Sequence, residues 1–238
     1  MSGFGIGLIS RAAPGAALFI CGVAFASGAL LFSPTAAHSQ TSRDEILIAA
    51  AQRGDAAAVK KLLGDGAGVR ARDGGGRTAL LAATHRNHVE IARLLIAAGA
   101  DVNAKDNMED SPFLYAGAEG RNDILKMTLA AGADLKSVNR YGGTALIPAA
   151  HHGHPETVKI LLATAIDKDH VNKLGWTALL EAVVLGDGGK THTEIVRLLV
   201  EAGANPNIPD RDGVTPLAHA RKRGYSAIAR ILEQVRAR

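Results

Sequence analysis

At 238 residues the chain is long enough for one or two domains, but only 4% of it is aromatic and its single cysteine, Cys21, excludes an intrachain disulfide. The formal net charge is +4, from 27 basic and 23 acidic residues mixed along the chain, without the concentrated basic stripe of a nucleic-acid binder. Abundant Ala and Gly suit thin helical layers packed through small side chains rather than a large aromatic core.

The first segment reads as an address. Residues 1–43 contain no Asp or Glu; Arg11 supplies a positive charge, and residues 16–32 run apolar or small. Pro34 breaks the run, and Ala37-His38-Ser39 places small residues three before and one before a cut. This is the pattern of a secretory signal peptide over residues 1–39, cleaved before Gln40. The rival is an uncleaved anchor, since 17 apolar residues lie at the short edge of what spans a bilayer. Ile20 precedes Cys21 where a lipoprotein signal wants a small residue, so lipidation is rejected.

From Asp44 onward the chain repeats itself. Leu94-Leu95 recurs as Met127-Thr128, Ile160-Leu161, Leu198-Leu199 and Ile231-Leu232, at offsets of 33, 33, 38 and 33, with an earlier copy at Leu62-Leu63. Such a period marks stacked helical units, none of which buries its apolar face alone. A buried Leu contributes about 1.5–3 kcal/mol only when a neighbour covers it. Six units follow one another, at 44–73, 74–106, 107–139, 140–172, 173–210 and 211–238. Thr78, Ser111, Thr144, Thr177 and Thr215 stand where a side-chain oxygen caps a first helix, with Pro112 and Pro216 at the first helical position. Gly99, Gly132 and Gly203 end second helices at positive φ. Asp44-Glu45 suits the start of the first helix.

The series Thr78-Ala79-Leu80, Asn87-His88-Val89-Glu90 and Leu94-Leu95, closed by Ala98-Gly99-Ala100-Asp101, resembles the ankyrin repeat, and the resemblance covers residues 44–238 in register. It implies an all-α solenoid of about six helix-turn-helix units with projecting β-hairpin fingers, and a concave face of fingers and first helices that binds another protein. By that register the exposed concave positions include Arg77, His85, Arg86, Met108, Arg140, Tyr141, His151, His152, Leu174 and Trp176. Trp, Tyr, Met and Arg are the types enriched at interface hot spots. For Trp176 the competing reading is packing along the neighbouring finger.

Several positions depart from the pattern. Leu81, Leu114, Ile147, Leu180 and Ala218 replace the family's usual motif His, which shifts the stack from polar tethers to packing. Unit three carries Glu109 at the finger glycine and Thr128 at a core Leu, and is expected to open first. Pro148 and Glu181 occupy equivalent first-helix positions where an apolar residue is usual. Unit five holds five extra residues around Gly186-Asp187-Gly188-Gly189, and unit four ends without its Gly. Broken local rules mark functional sites as often as loop drift; Glu181 joins the partner-binding set on that ground.

Nine His residues raise a metal hypothesis, but no Cys or H-x-x-x-H pair accompanies them, and zinc needs three or four converging ligands. No metal, cofactor or catalytic constellation is expected. The reading is an exported, non-enzymatic, monomeric module, bacterial and periplasmic, that binds another protein and no nucleic acid. It touches a membrane only if the leader is uncleaved. The alternatives are an enzyme or metal-dependent factor using the histidines of units four and five, or a membrane-tethered scaffold.

Overall fold

The computed structural model describes residues 34–236, so the apolar leader, Arg11 and Cys21 lie outside the described residues. Those residues form twelve α-helices in six antiparallel pairs. The first helices are α1 (Pro34–Arg53), α3 (Ala79–His85), α5 (Pro112–Ala118), α7 (Leu146–His151), α9 (Ala178–Val184) and α11 (Pro216–Lys222). Each returns through a second helix: α2 (Ala56–Gly64), α4 (Val89–Ala97), α6 (Asn122–Ala130), α8 (Pro155–Leu162), α10 (Lys190–Glu201) and α12 (Ser226–Arg236). First helices stack on first helices and second on second, giving two parallel layers. Among the described residues no helix is long and apolar enough to cross a membrane.

The capping logic holds at four of the five expected positions. The side-chain oxygens of Thr78, Ser111, Thr177 and Thr215 accept from the backbone N–H three residues on, at 3.2–3.3 Å. Thr144 does not cap, and its buried hydroxyl lacks a hydrogen-bond partner. The cause is Pro148. In the other units the N–H four residues after the cap donates to the cap carbonyl, as Ala82 does to Thr78. Proline has no N–H to give. The Thr144 carbonyl takes the N–H of Ile147 instead, at 3.1 Å, and α7 starts one residue late.

Leu80, Phe113, Leu146 and Leu179 are at most 1% exposed and form the centre of the stack. The motif positions Leu81, Leu114, Ile147 and Leu180 are buried as well, so packing does replace the polar tethers there. Ala218, in the sixth unit, is exposed. Gly99, Gly132 and Gly203 have φ of 83–86°, the left-handed turn expected after a second helix. Glu109 holds φ 62° at its glycine place, a region side chains adopt only at a cost. Thr128 is fully buried, with its hydroxyl donating to the Leu125 carbonyl at 2.8 Å.

Two expectations need correction. Asp44 and Glu45 do not start a helix: α1 begins at Pro34 and they lie in its interior. Asp44 instead accepts the Gly68 N–H at 2.6 Å, fastening the first unit's outgoing turn. The fingers carry no β-strand among the described residues. Each closes with one hairpin bond, from the N–H of Asp73, Asp106, Asn139, Asn172 or Asp210 to the carbonyl four residues on. Five residues suffice for that bond but not for a ladder. Neighbouring fingers are tied where the Asn107 N–H donates to the Gly75 carbonyl and the Lys173 N–H to that of Tyr141.

The five-residue insertion makes α10 twelve residues long, against eight or nine in α4, α6 and α8. Its loop is anchored on both sides. The Tyr225 hydroxyl donates to the Gly186 carbonyl at 3.1 Å. The His192 ring touches Asp187 at 2.9 Å and the His151 carbonyl at 3.0 Å.

Candidate protein-binding site

The first helices present three positions per unit to the concave face, four, seven and eight residues after the cap. In units three to five the first of these holds Tyr115, Pro148 and Glu181. The next holds Ala118 and His151 in units three and four, and the last Glu119, His152 and Leu185. With the finger residues Asp110, Arg140, Tyr141, Asn172 and Leu174 they enclose a cavity of about 440 Å³. The register of the repeat therefore gathers side chains from three units around one hollow.

Six of the expected residues line it: Arg140, Tyr141, His151, His152, Leu174 and Glu181. Tyr141 and Leu174 are 52% and 47% exposed on the rim. The Arg140 guanidinium lies over the Tyr141 ring, 4.8 Å from its centre, and 3.6 Å from Asp110. His152 Nδ1 sits 2.8 Å from the Ala118 carbonyl and 3.6 Å from Glu119.

Glu181 is the most buried charged group of the wall, at 6% exposure. Its Oε1 accepts from the Asn172 side-chain amide at 2.8 Å, while Oε2 has His151 Nδ1 at 3.7 Å, too far for a hydrogen bond. Burial pushes its carboxyl above the ordinary range, and the Asn172 hydrogen bond opposes the shift. Burial likewise raises the Asp110 carboxyl, helped by Asp106 and opposed by Arg140. Burial, with His152 and His192 nearby, holds the His151 ring below its ordinary value. The cavity thus concentrates carboxylates against apolar and aromatic walls. That arrangement suits recognition of hydrogen-bond donors and cations.

The other expected residues stand elsewhere. Arg77 is tied to Asp73 on its own finger at 2.8 Å. Arg86 is exposed after α3, and Met108 is 54% exposed on the third finger. His85 stacks on Tyr115, with ring centres 4.1 Å apart, and so supports the wall from the neighbouring unit. Trp176 is half-buried and does not line the cavity.

Asp110, Tyr115 and Asn172 were absent from the expected set. Tyr115 shares the register of Pro148 and Glu181, a column in the sequence that would have led to it. Asn172 was legible only as a finger residue, and its pairing with Glu181 needs the fold. Among the described residues no three His, Cys, Asp or Glu side chains converge as metal ligands do. His88 and His170 sit against backbone carbonyls, as His152 and His192 do, and His219 pairs with Asp210.

Comparison with known proteins agrees with this geometry. The family model for ankyrin repeats (three copies) matches residues 26–106, 46–137, 113–210 and 166–237. The ankyrin repeat protein YahD of Escherichia coli K12 is 52% identical over 52 residues, a match spanning 22% of this chain and 26% of YahD. The crystal structure of an ankyrin repeat domain from Acinetobacter baumannii AYE is 57% identical, with a TM-score of 0.78, covering 79% of this chain and 96% of that one. A chain from the complex of the Bdellovibrio bacteriovorus predatory endopeptidase Bd0816 with the immunity protein Bd3460 is 25% identical. Its TM-score is 0.68, over 79% of this chain and 96% of that one. The register of caps, paired helices and fingers, and the family match across those spans, show that this chain belongs to the ankyrin-repeat family.

Proposed function

We propose that the protein is an exported, non-catalytic binding module that holds a partner protein against the concave face of units three to five. The observation that carries this reading is the cavity built from Tyr115, Tyr141, His151, Leu174 and Glu181, open to solvent at an aromatic and aliphatic rim. A buried polar centre ringed by large amphipathic side chains is the usual anatomy of an interface hot spot. The fold supplies a rigid scaffold for it, and a solved relative of the same fold comes from a complex of two proteins. Export to the periplasm is supported by the acid-free apolar leader.

A photo-crosslinking residue placed at Tyr141 or Leu174 in cells tests the surface. An adduct with another protein is expected from either position, and none from Lys126 on the exposed side of α6. Adducts from Lys126 alone would move the interface to the outer layer.

A further inference from the structure

We propose that the cavity between units three, four and five receives an arginine side chain of the partner protein, with Glu181 as the anion that pairs with it. The inference rests on the concave-face reading above and deepens it.

The starting point is a charge without a counter-charge. Glu181 is buried, yet among the described residues no Lys or Arg forms an ion pair with it. Among the described residues its carboxylate takes a hydrogen bond only from the neutral Asn172 amide, and His151 Nδ1, at 3.7 Å, lies beyond hydrogen-bond reach. Burying a carboxylate without a cation is costly, and a well-placed, hydrogen-bonding cation offsets part of that cost. The cavity holds three carboxylates, Asp110, Glu119 and Glu181, against a single guanidinium, Arg140. Arg140 is already engaged by the Tyr141 ring and by Asp110. The surplus is negative and sits at the inner wall.

The shape favours arginine. Tyr141, Leu174, Leu185 and Pro148 give apolar and aromatic surface for a methylene stem, and the charged head then lies against Glu181. Glu181 lines the cavity, and its Oε2 takes no hydrogen bond among the described residues, which leaves an acceptor for one arm of a guanidinium fork. Arginine is more weakly hydrated than lysine and offers five fixed donors, which suits a half-dry site with several scattered acceptors. The Asn172 amide holds the carboxylate in place before the ligand arrives.

Selection of a random displayed-peptide library on the purified protein tests this. Peptides should emerge with a shared arginine, and replacing that arginine by citrulline, its neutral isostere, should weaken binding by about tenfold or more. Glu181→Gln should weaken it by a similar factor of about ten, because Gln keeps the acceptor for Asn172 and loses only the charge. A thermal melt of the variant at least as high as the parent's assigns that loss to charge rather than unfolding. Peptides that need Tyr141 but carry no shared arginine would overturn the arginine assignment and leave the concave-face reading standing, with shared lysine naming the other cation as occupant. Arginine peptides indifferent to Glu181→Gln would overturn it too. Peptides indifferent to both Glu181→Gln and Tyr141→Ala would overturn the concave-face reading together with it.

Discussion

The side-chain amide of Asn172 donates to Oε1 of Glu181 across 2.8 Å, joining the base of a finger to the first helix that follows it. The last unit repeats the relationship with the roles exchanged: Asp210 Oδ2 meets His219 Nε2 at 2.6 Å, again nine residues apart. Where the helix offers an acid the finger offers an amide, and where the helix offers an imidazole the finger offers a carboxylate. The His219 hydrogen bond and the Val214 N–H hold the Asp210 carboxyl below its ordinary range.

Exchanging these partners should be costly one at a time and mild together. Asn172→Asp sets two carboxylates face to face and should lower stability by about 1–3 kcal/mol in urea denaturation. The double variant Asn172→Asp, Glu181→His copies the last unit and should recover most of that loss. Acid behaviour follows from the same pair. The folded Glu181 carboxyl is raised above its unfolded value, so its contribution favours the fold at low pH and is lost as pH rises through the folded pKa. Glu181→Gln should therefore raise the melting temperature at neutral pH, and the gain should shrink on acidification.

Pro148→Ala should stabilise unit four. It restores the N–H that the Thr144 carbonyl lacks and frees the Ile147 N–H for the Thr144 hydroxyl. The gain should be about 1 kcal/mol, a typical cap, and Thr144→Ala should abolish it. A double-mutant cycle in urea measures the coupling.

Unit three should be the first to open. Glu109 holds a left-handed conformation that glycine adopts freely, so Glu109→Gly should stabilise the chain by about 1 kcal/mol. Amide exchange should show weaker protection in α5 and α6 than in α7 and α9, and the substitution should narrow the difference.

On the proposed export, the mature chain should begin at or near Gln40. Because α1 starts at Pro34, cleavage there trims its first turns and leaves the half that carries Leu47, Ala50 and Ala51, which pack in the core. Intact mass measurement of the periplasmic fraction checks this, with full-length mass in the membrane fraction as the contrary result.

The repeat itself was legible from residue spacing, because each unit reuses local rules: a hydroxyl before a helix, Leu pairs within it, Gly after it. Those rules act within a few residues, so Thr78, Ser111, Thr177 and Thr215 announced their caps, the concave register singled out Tyr141 and His151, and Glu181 stood out as an acid where an apolar residue is usual. Thr144 shows the limit. Its hydroxyl is as well placed in sequence as the others, but a proline four residues on removes the donor that orders the turn. Trp176 and Glu181 show it again. Both stood out by type and position, and only the stacking of three units decided that Glu181 lines the shared cavity and the half-buried Trp176 does not. The offset of one finger from the next helix, and so the meeting of Asn172 with Glu181, is a property of the packed layers: burial and charge pairing depend on neighbours that periodicity alone does not place.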